Sequence, residues 1–172
     1  MRTELGKGRY VAVKNFNDDI QVHFRQYERS VMWNLYPTKL GIHLSPTQFA
    51  TLLHFMKPIN AIVEKIRNRE KYVSFKFHLG AGIYATANSE FPVVHLRRYF
   101  LPDGQTSPLP TKKGISLRLK EWEAFVTQLD DIKNLIDAKP CFYQDDHHSL
   151  VTFLICPECN PFKMDFLPNH GF

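Results

Sequence analysis

Two short stretches of this chain carry the residue types that hold polyanions. In Val94-His95-Leu96-Arg97-Arg98-Tyr99-Phe100, Val94 and Leu96 face one side of an extended strand while His95, Arg97 and Tyr99 face the other. That describes a sheet with one face on a core and one face basic and aromatic. Cations so placed can follow phosphates, and flat rings can stack on unpaired bases. Leu109-Pro110-Thr111-Lys112-Lys113-Gly114-Ile115-Ser116-Leu117 adds a Lys-Lys-Gly loop that runs into another short strand. Both pieces occur twice. Val22-His23-Phe24-Arg25-Gln26-Tyr27 repeats the strand, and Tyr36-Pro37-Thr38-Lys39-Leu40-Gly41-Ile42-His43-Leu44 repeats the loop and the short strand after it. Two tandem copies of one small unit are expected.

A second group with chemistry lies near the end of the chain. Cys141, His147, His148, Cys156 and Cys159 have the ingredients of a tetrahedral zinc site, with Cys156-Pro157-Glu158-Cys159 as the knuckle and one of the two His as a ligand. The spacing is not that of a standard finger, and reduced cysteines on a tail are the alternative. A redox role finds little support beside Pro157 and Pro161.

Strands and helices to carry these residues are visible in the apolar periodicity. In the first unit, residues 7–67, Arg9–Lys14 and Ile20–Tyr27 alternate as strands around the turn Asn15–Asp19. A third strand is expected around Val31–Leu35 and a fourth at Gly41–Leu44. Ser45-Pro46-Thr47-Gln48 has the residues of a helix start with a reciprocal cap. Phe49, Leu52, Leu53, Met56, Ile59, Ile62, Val63 and Ile66 then recur at helical spacing, with a kink or break expected at Pro58. In the second unit, residues 71–138, Lys71–Lys76 reads as the opening strand. His78–Pro92 reads as an enlarged turn, and Trp122, Phe125, Val126, Leu129, Ile132 and Ile136 form the buried stripe of a helix. Residues 139–172 are the Cys/His extension. The fold class is α+β: two β-β-β-β-α units, each a curved antiparallel sheet followed by a helix, paired as a pseudo-dimer.

Composition narrows the function classes. A 172-residue chain that is 44% hydrophobic and 13% aromatic is a folded globular protein rather than a disordered one. Net charge +5 suits a nucleic-acid partner without singling one out. Three Cys, all beyond residue 140, exclude a disulfide framework for the whole fold and point to a reducing compartment. Neither a secretory signal nor a membrane span is visible, so a soluble protein with no membrane partner is expected.

Laid out in order, Arg9-Tyr10-Val11-Ala12-Val13, Phe16, Ile20-x-Val22-x-Phe24-Arg25-Gln26-Tyr27 and Pro37-Thr38-Lys39-Leu40-Gly41-Ile42-x-Leu44-Ser45-Pro46-x-Gln48-Phe49 resemble the C-terminal domain of positive cofactor four. The second copy resembles it in Arg97-Arg98-Tyr99-Phe100 and in Pro110-Thr111-Lys112-Lys113-Gly114-Ile115-Ser116-Leu117 followed by Trp122. That family comprises transcriptional coactivators that bind single-stranded DNA, in which two units dimerise through their helices and the sheets form channels. The resemblance implies contact residues Arg9, Phe16, Arg25 and Lys39 in the first copy and Lys71, Arg97, Phe100, Lys112 and Lys113 in the second. It also implies a nuclear protein meeting the transcription machinery and needing no cofactor to bind DNA; a structural zinc would be confined to the tail. Melted duplex or RNA are further forms of the ligand, and a homodimer is the alternative to the intrachain pair.

Departures from the family pattern weaken the first copy. Leu40 replaces the second base of the loop pair, Glu28 stands where Phe100 does, and Asn17 and Asp19 replace lysines. Taken singly, Arg25 and Arg97 could be solvated charges, and Phe16 and Phe100 could be core. For the two arginines, the repeated position and the flanking Tyr favour the contact reading. The competing class is a protein-interaction module that keeps the fold and has lost nucleic acid. No enzyme is expected: no paired carboxylates within a recognisable pocket motif, phosphate-cradling Gly loop or nucleophile with a convincing base is visible, and the adjacent acids Asp145 and Asp146 would point opposite ways on a strand.

Overall fold

Four strands, a long helix, four more strands and a split helix succeed one another in the computed structural model, which describes residues 1–138. Strands β1 (Arg2–Gly6), β2 (Arg9–Phe16), β3 (Asp19–Arg29) and β4 (Leu35–Leu44) form an antiparallel sheet in that order, and α1 (Pro46–Arg67) leaves its last strand. Strands β5 (Ser74–Gly80), β6 (Ile83–Asn88), β7 (Val93–Phe100) and β8 (Leu109–Arg118) build a second sheet of the same order, followed by α2 (Leu119–Thr127) and α3 (Leu129–Lys133). The α+β architecture of two sheets, each followed by a helix, is as expected. The candidate ligands Cys141, His147, His148, Cys156 and Cys159 lie outside the described residues.

The first sheet gains its fourth strand from an unexpected place. β1 precedes the stretch expected to open the sheet and buries Leu5. Val31–Leu35, expected as a strand, is a turn up to Asn34. Trp33 N–H donates to the Ser30 carbonyl at 2.9 Å, Ser30 N–H donates to that of Asn34 at 2.8 Å, and Val31 is 99% exposed. The eleven residues of β3 therefore pair straight back with β4, leaving no edge for an intervening strand.

The start of α1 is as its sequence predicts. Gln48 N–H donates to Ser45 Oγ at 3.2 Å, and Ser45 N–H donates to Gln48 Oε1 at 2.8 Å. Pro58 does not end the helix, which runs unbroken to Arg67. Pro58 and His54, whose carbonyl the proline leaves unpaired, are both exposed, so water can satisfy that oxygen while Met56, Ile59 and Val63 stay packed.

The second sheet corrects the frame of its first half. Lys71–Lys76 does not correspond to Arg9–Lys14: β5 starts at Ser74 and corresponds to β1. The supposed enlarged turn, His78–Pro92, contains β6. Leu79-Gly80-Ala81-Gly82-Ile83-Tyr84 then matches Leu5-Gly6-Lys7-Gly8-Arg9-Tyr10. The two turns share left-handed backbone at Gly6, Lys7 and Gly8 and at Gly80, Ala81 and Gly82. In both, the second Gly carbonyl accepts from a strand Tyr at 2.7 Å, Gly8 from Tyr27 and Gly82 from Tyr99.

Each helix packs across the two units. α1 lies against β5 and β6 as well as β3 and β4, while α2 lies against β1 as well as β7 and β8. Phe24 of β3 meets Phe125 of α2 edge-on at 5.0 Å, and Phe55 of α1 stacks on Phe77 of β5 at 4.3 Å. Trp122 Nε1 donates to Asn60 Oδ1 at 3.0 Å between the helices, and Arg67 pairs with Glu123. The edge strands β4 and β8 lie side by side, so the two sheets share one continuous core.

Candidate nucleic-acid interface

The sheet faces turned away from the helices carry the basic and aromatic residues. Register places Arg2, Tyr10, Lys14, His23, Arg25 and His43 on the first outer face. Lys76, His78, Tyr84, Thr86, His95, Arg97 and Ser116 occupy the second.

One irregularity, made twice, fixes the key cations. Arg25 pairs with Gly41 and Tyr27 with Pro37, so β4 carries two extra residues opposite β3; Arg97–Gly114 and Tyr99–Pro110 repeat this in β7 and β8. Such bulges re-aim side chains, here Thr38-Lys39-Leu40 and Thr111-Lys112-Lys113. Thr38 Oγ1 donates to the Gln26 carbonyl at 3.0 Å and accepts from Leu40 N–H at 3.1 Å. Thr111 Oγ1 donates to the Arg98 carbonyl at 2.8 Å and accepts from Lys113 N–H at 3.1 Å. The Thr carbonyls in turn hold the guanidinium groups: Arg25 Nη1 donates to Thr38 O at 3.1 Å and Arg97 Nη1 to Thr111 O at 3.0 Å. Arg25 is thus tethered by one arm before any ligand arrives, and Arg97 by two, its Nη2 also donating to Ser116 Oγ at 3.5 Å. Glycine is required opposite each Arg, because a Cβ on Gly41 or Gly114 would stand 2.6 or 2.5 Å from the Phe24 or Leu96 carbonyl oxygen.

Beside each tethered Arg sits a cation over paired Tyr rings. Arg2 lies 5.7 Å from Tyr10 and 5.5 Å from Tyr27, whose rings meet edge-on. Lys76 lies 4.9 Å from Tyr84 and 4.8 Å from Tyr99. Sequence reading missed Arg2, Tyr10, Lys76 and Tyr84 as a group. The repeated Leu-Gly-x-Gly-x-Tyr would have revealed them, because it sets the true frame of the first two strands.

Of the expected contact residues, the structure brings Arg25, Lys39, Arg97, Lys112 and Lys113 to the two bulged edges, with the three lysines exposed. Phe16 at the β2–β3 tip is 66% exposed and Phe100 at the end of β7 is 49% exposed, so neither is core. Phe91 stands 65% exposed at the corresponding β6–β7 turn, whereas Phe77 is stacked against α1. Two residues do not join the outer faces. Arg9 points to the core side, where its Nη1 donates to the buried Glu121 Oε1 at 3.0 Å. Lys71 precedes β5 altogether, in the connection after α1.

The electrostatics of the two faces differ. Glu4 on the first accepts from Tyr10 Oη at 3.1 Å, whereas His78 holds the equivalent place on the second. Burial, reinforced by Lys14, His43 and Arg25, lowers the His23 pKa to about 4, and its ring lies 5.6 Å from that of His43. Burial, with Arg98 of the second unit and Arg25, lowers His43 as well; burial and Arg97 lower His95, whose Nδ1 shares a 2.7 Å hydrogen bond with Ser116 Oγ. These imidazoles are neutral near pH 7 because His23 and His95 are half-buried, while His43 is the more exposed, and because cations crowd all three.

The fold and faces together define an α+β protein whose paired sheets present tethered cations beside aromatic rings. Residues 89–128, which hold β7, β8 and α2, match the family described as Transcriptional Coactivator p15 (PC4). No curated protein matches the chain. Among the described residues no helix is long and apolar enough to cross a membrane.

Proposed function

We propose that the chain is a non-enzymatic, nuclear coactivator-type protein that binds single-stranded DNA on its outer sheet faces and meets the transcription machinery there. The duplicated Arg–Thr–bulge unit carries the reading. A guanidinium already held in place loses little freedom on meeting a phosphate, and the neighbouring Lys39 or Lys112–Lys113 extend the cationic track. Phe16, Phe91 and Phe100 stand exposed at the ends of that track, where unpaired bases can stack for roughly 1–3 kcal/mol each. The match to the coactivator family, which spans Arg97, Phe100, Lys112 and Lys113, supports DNA as the ligand.

The second unit is the stronger binder on this reading. It offers Lys76, Lys112 and Lys113 where the first has Arg2, Lys39 and Leu40, and it lacks the outer-face carboxylate of Glu4. Fluorescence anisotropy with single-stranded and duplex DNA of equal length, over a salt series and with RNA as competitor, tests it. Salt-sensitive binding that favours the single strand is expected. Arg97→Ala should weaken it about tenfold and lower the salt slope by about one phosphate, with a smaller loss for Arg25→Ala. Absence of binding at low salt refutes the reading.

A second reading, a protein-interaction module, has its own observation. Val31, Met32 and Trp33 are 99%, 82% and 76% exposed at the β3–β4 turn, whereas the corresponding β7–β8 connection is Leu101-Pro102-Asp103-Gly104-Gln105-Thr106-Ser107-Pro108. On that reading Arg97 and Lys113 can be replaced without loss of function.

A further inference from the structure

The two units are alike in topology but differ where they touch. Gln48 and Glu121 are each the third residue of their helices, and each side-chain oxygen accepts from the backbone N–H three residues earlier, Ser45 or Arg118, at 2.8 Å. Both side chains then reach into the other unit. Gln48 Nε2 donates to the Gly80 carbonyl at 3.0 Å, and Glu121 Oε1 accepts from Arg9 Nη1 at 3.0 Å. Glu121 also rests on Gly6, where an added Cβ would stand 3.3 Å from its Cγ. Register makes the two seats equivalent, since Gly6 pairs with Arg9 and Gly80 with Ile83. Gln48 is 5% exposed and Glu121 4%, so neither can recover a lost partner from water.

We propose that these seats are a pairing key: they fit the first unit to the second within one chain, keep the protein monomeric, and exclude like-with-like pairing between chains. Consider second unit against second unit. Glu121 would face the Gly80 carbonyl and Ile83, acceptor against acceptor, with no donor for its charge. Consider first against first. Arg9 would face the neutral Gln48 amide, whose nitrogen can only donate and whose oxygen already accepts from Ser45, so the guanidinium would lose the carboxylate that offsets its charge. Only unlike units satisfy both seats. The six residues between α1 and β5 span at most about 20 Å, so the matching partner is the adjacent half of the same chain. This inference is independent of what the outer faces bind.

Exchanging the key tests it at constant composition and charge. In the full chain, Gln48→Glu with Glu121→Gln puts carboxylate and Arg9 in the first unit and amide and Ile83 in the second. Like units then match and unlike units do not. Light scattering should give the wild-type chain its monomer mass of 20.1 kDa at every concentration. The exchanged chain should show at least double that mass, rising with concentration, and a dilute Tm lower by about 10 °C. Adding Arg9→Ile and Ile83→Arg moves the whole key to the other seat and should restore both the monomer and most of the Tm. A wild-type dimer, an exchanged chain with wild-type mass and Tm, or a four-fold variant that stays associated would each overturn the proposal.

Discussion

Arg9 and Arg97 illustrate how far a residue's type is from its role. Both belong to basic–aromatic stretches of the sequence, yet Arg97 is tethered on an outer face and Arg9 neutralises a carboxylate that is 4% exposed. Removing Arg9 leaves Glu121 buried without its partner. Arg9→Ala should therefore cost about 3 kcal/mol of stability, read from chemical denaturation, while leaving DNA affinity at the outer faces unchanged. Arg97→Ala should do the opposite. Measuring both quantities on both variants separates structural from ligand-binding arginines, since a merely basic surface would respond alike to either change.

At the scale of the element, the paired bulges and the histidines between the strands set behaviour. A folded His23 with a pKa of about 4, against 6.5 for the ordinary group, refuses a proton that the unfolded chain accepts. Stability should therefore be fully present above pH 6.5 and fall as the pH drops from 6.5 towards 4. His43 and His95, lowered for similar reasons, add to the slope in the same direction. Denaturation midpoints at pH 7.5, 6 and 5 should show this loss, and the His23→Gln chain should lose less between pH 6 and 5 than the wild type.

For the whole molecule, the cross-packing of the helices joins the two sheets into one cooperative body. Phe24 of the first sheet touches Phe125 of α2, and Phe77 of the second touches Phe55 of α1, so neither sheet keeps its core cover without the other unit. Phe24→Ala should lower a single shared melting transition, by an amount corresponding to about 3–5 kcal/mol. Hydrogen exchange should accelerate in β7 and β8 as well as in β2 and β3. Protection retained in the second sheet alone would show instead that the units fold separately.

Much of this was legible in the sequence because it depends on local periodicity. Alternation located β2, β3 and β7, the Ser45–Gln48 cap located the start of α1, and the repeat announced two sheets with Arg25 and Arg97 at matched places. What was not legible depends on contacts between distant residues. Strand identity in the second unit went astray because β5 and β6 read as one strand and a long turn until pairing with β7 fixes the frame. Val31 and Trp33 have strand-like side chains but no strand to pair with, and Pro58 has a helix breaker's chemistry but sits on the wet side of a helix held by two units. Arg9 shows the reason most plainly. Alternation alone could not reveal that a carboxylate 112 residues away would be buried against it, because that depends on which two halves of the chain close on each other.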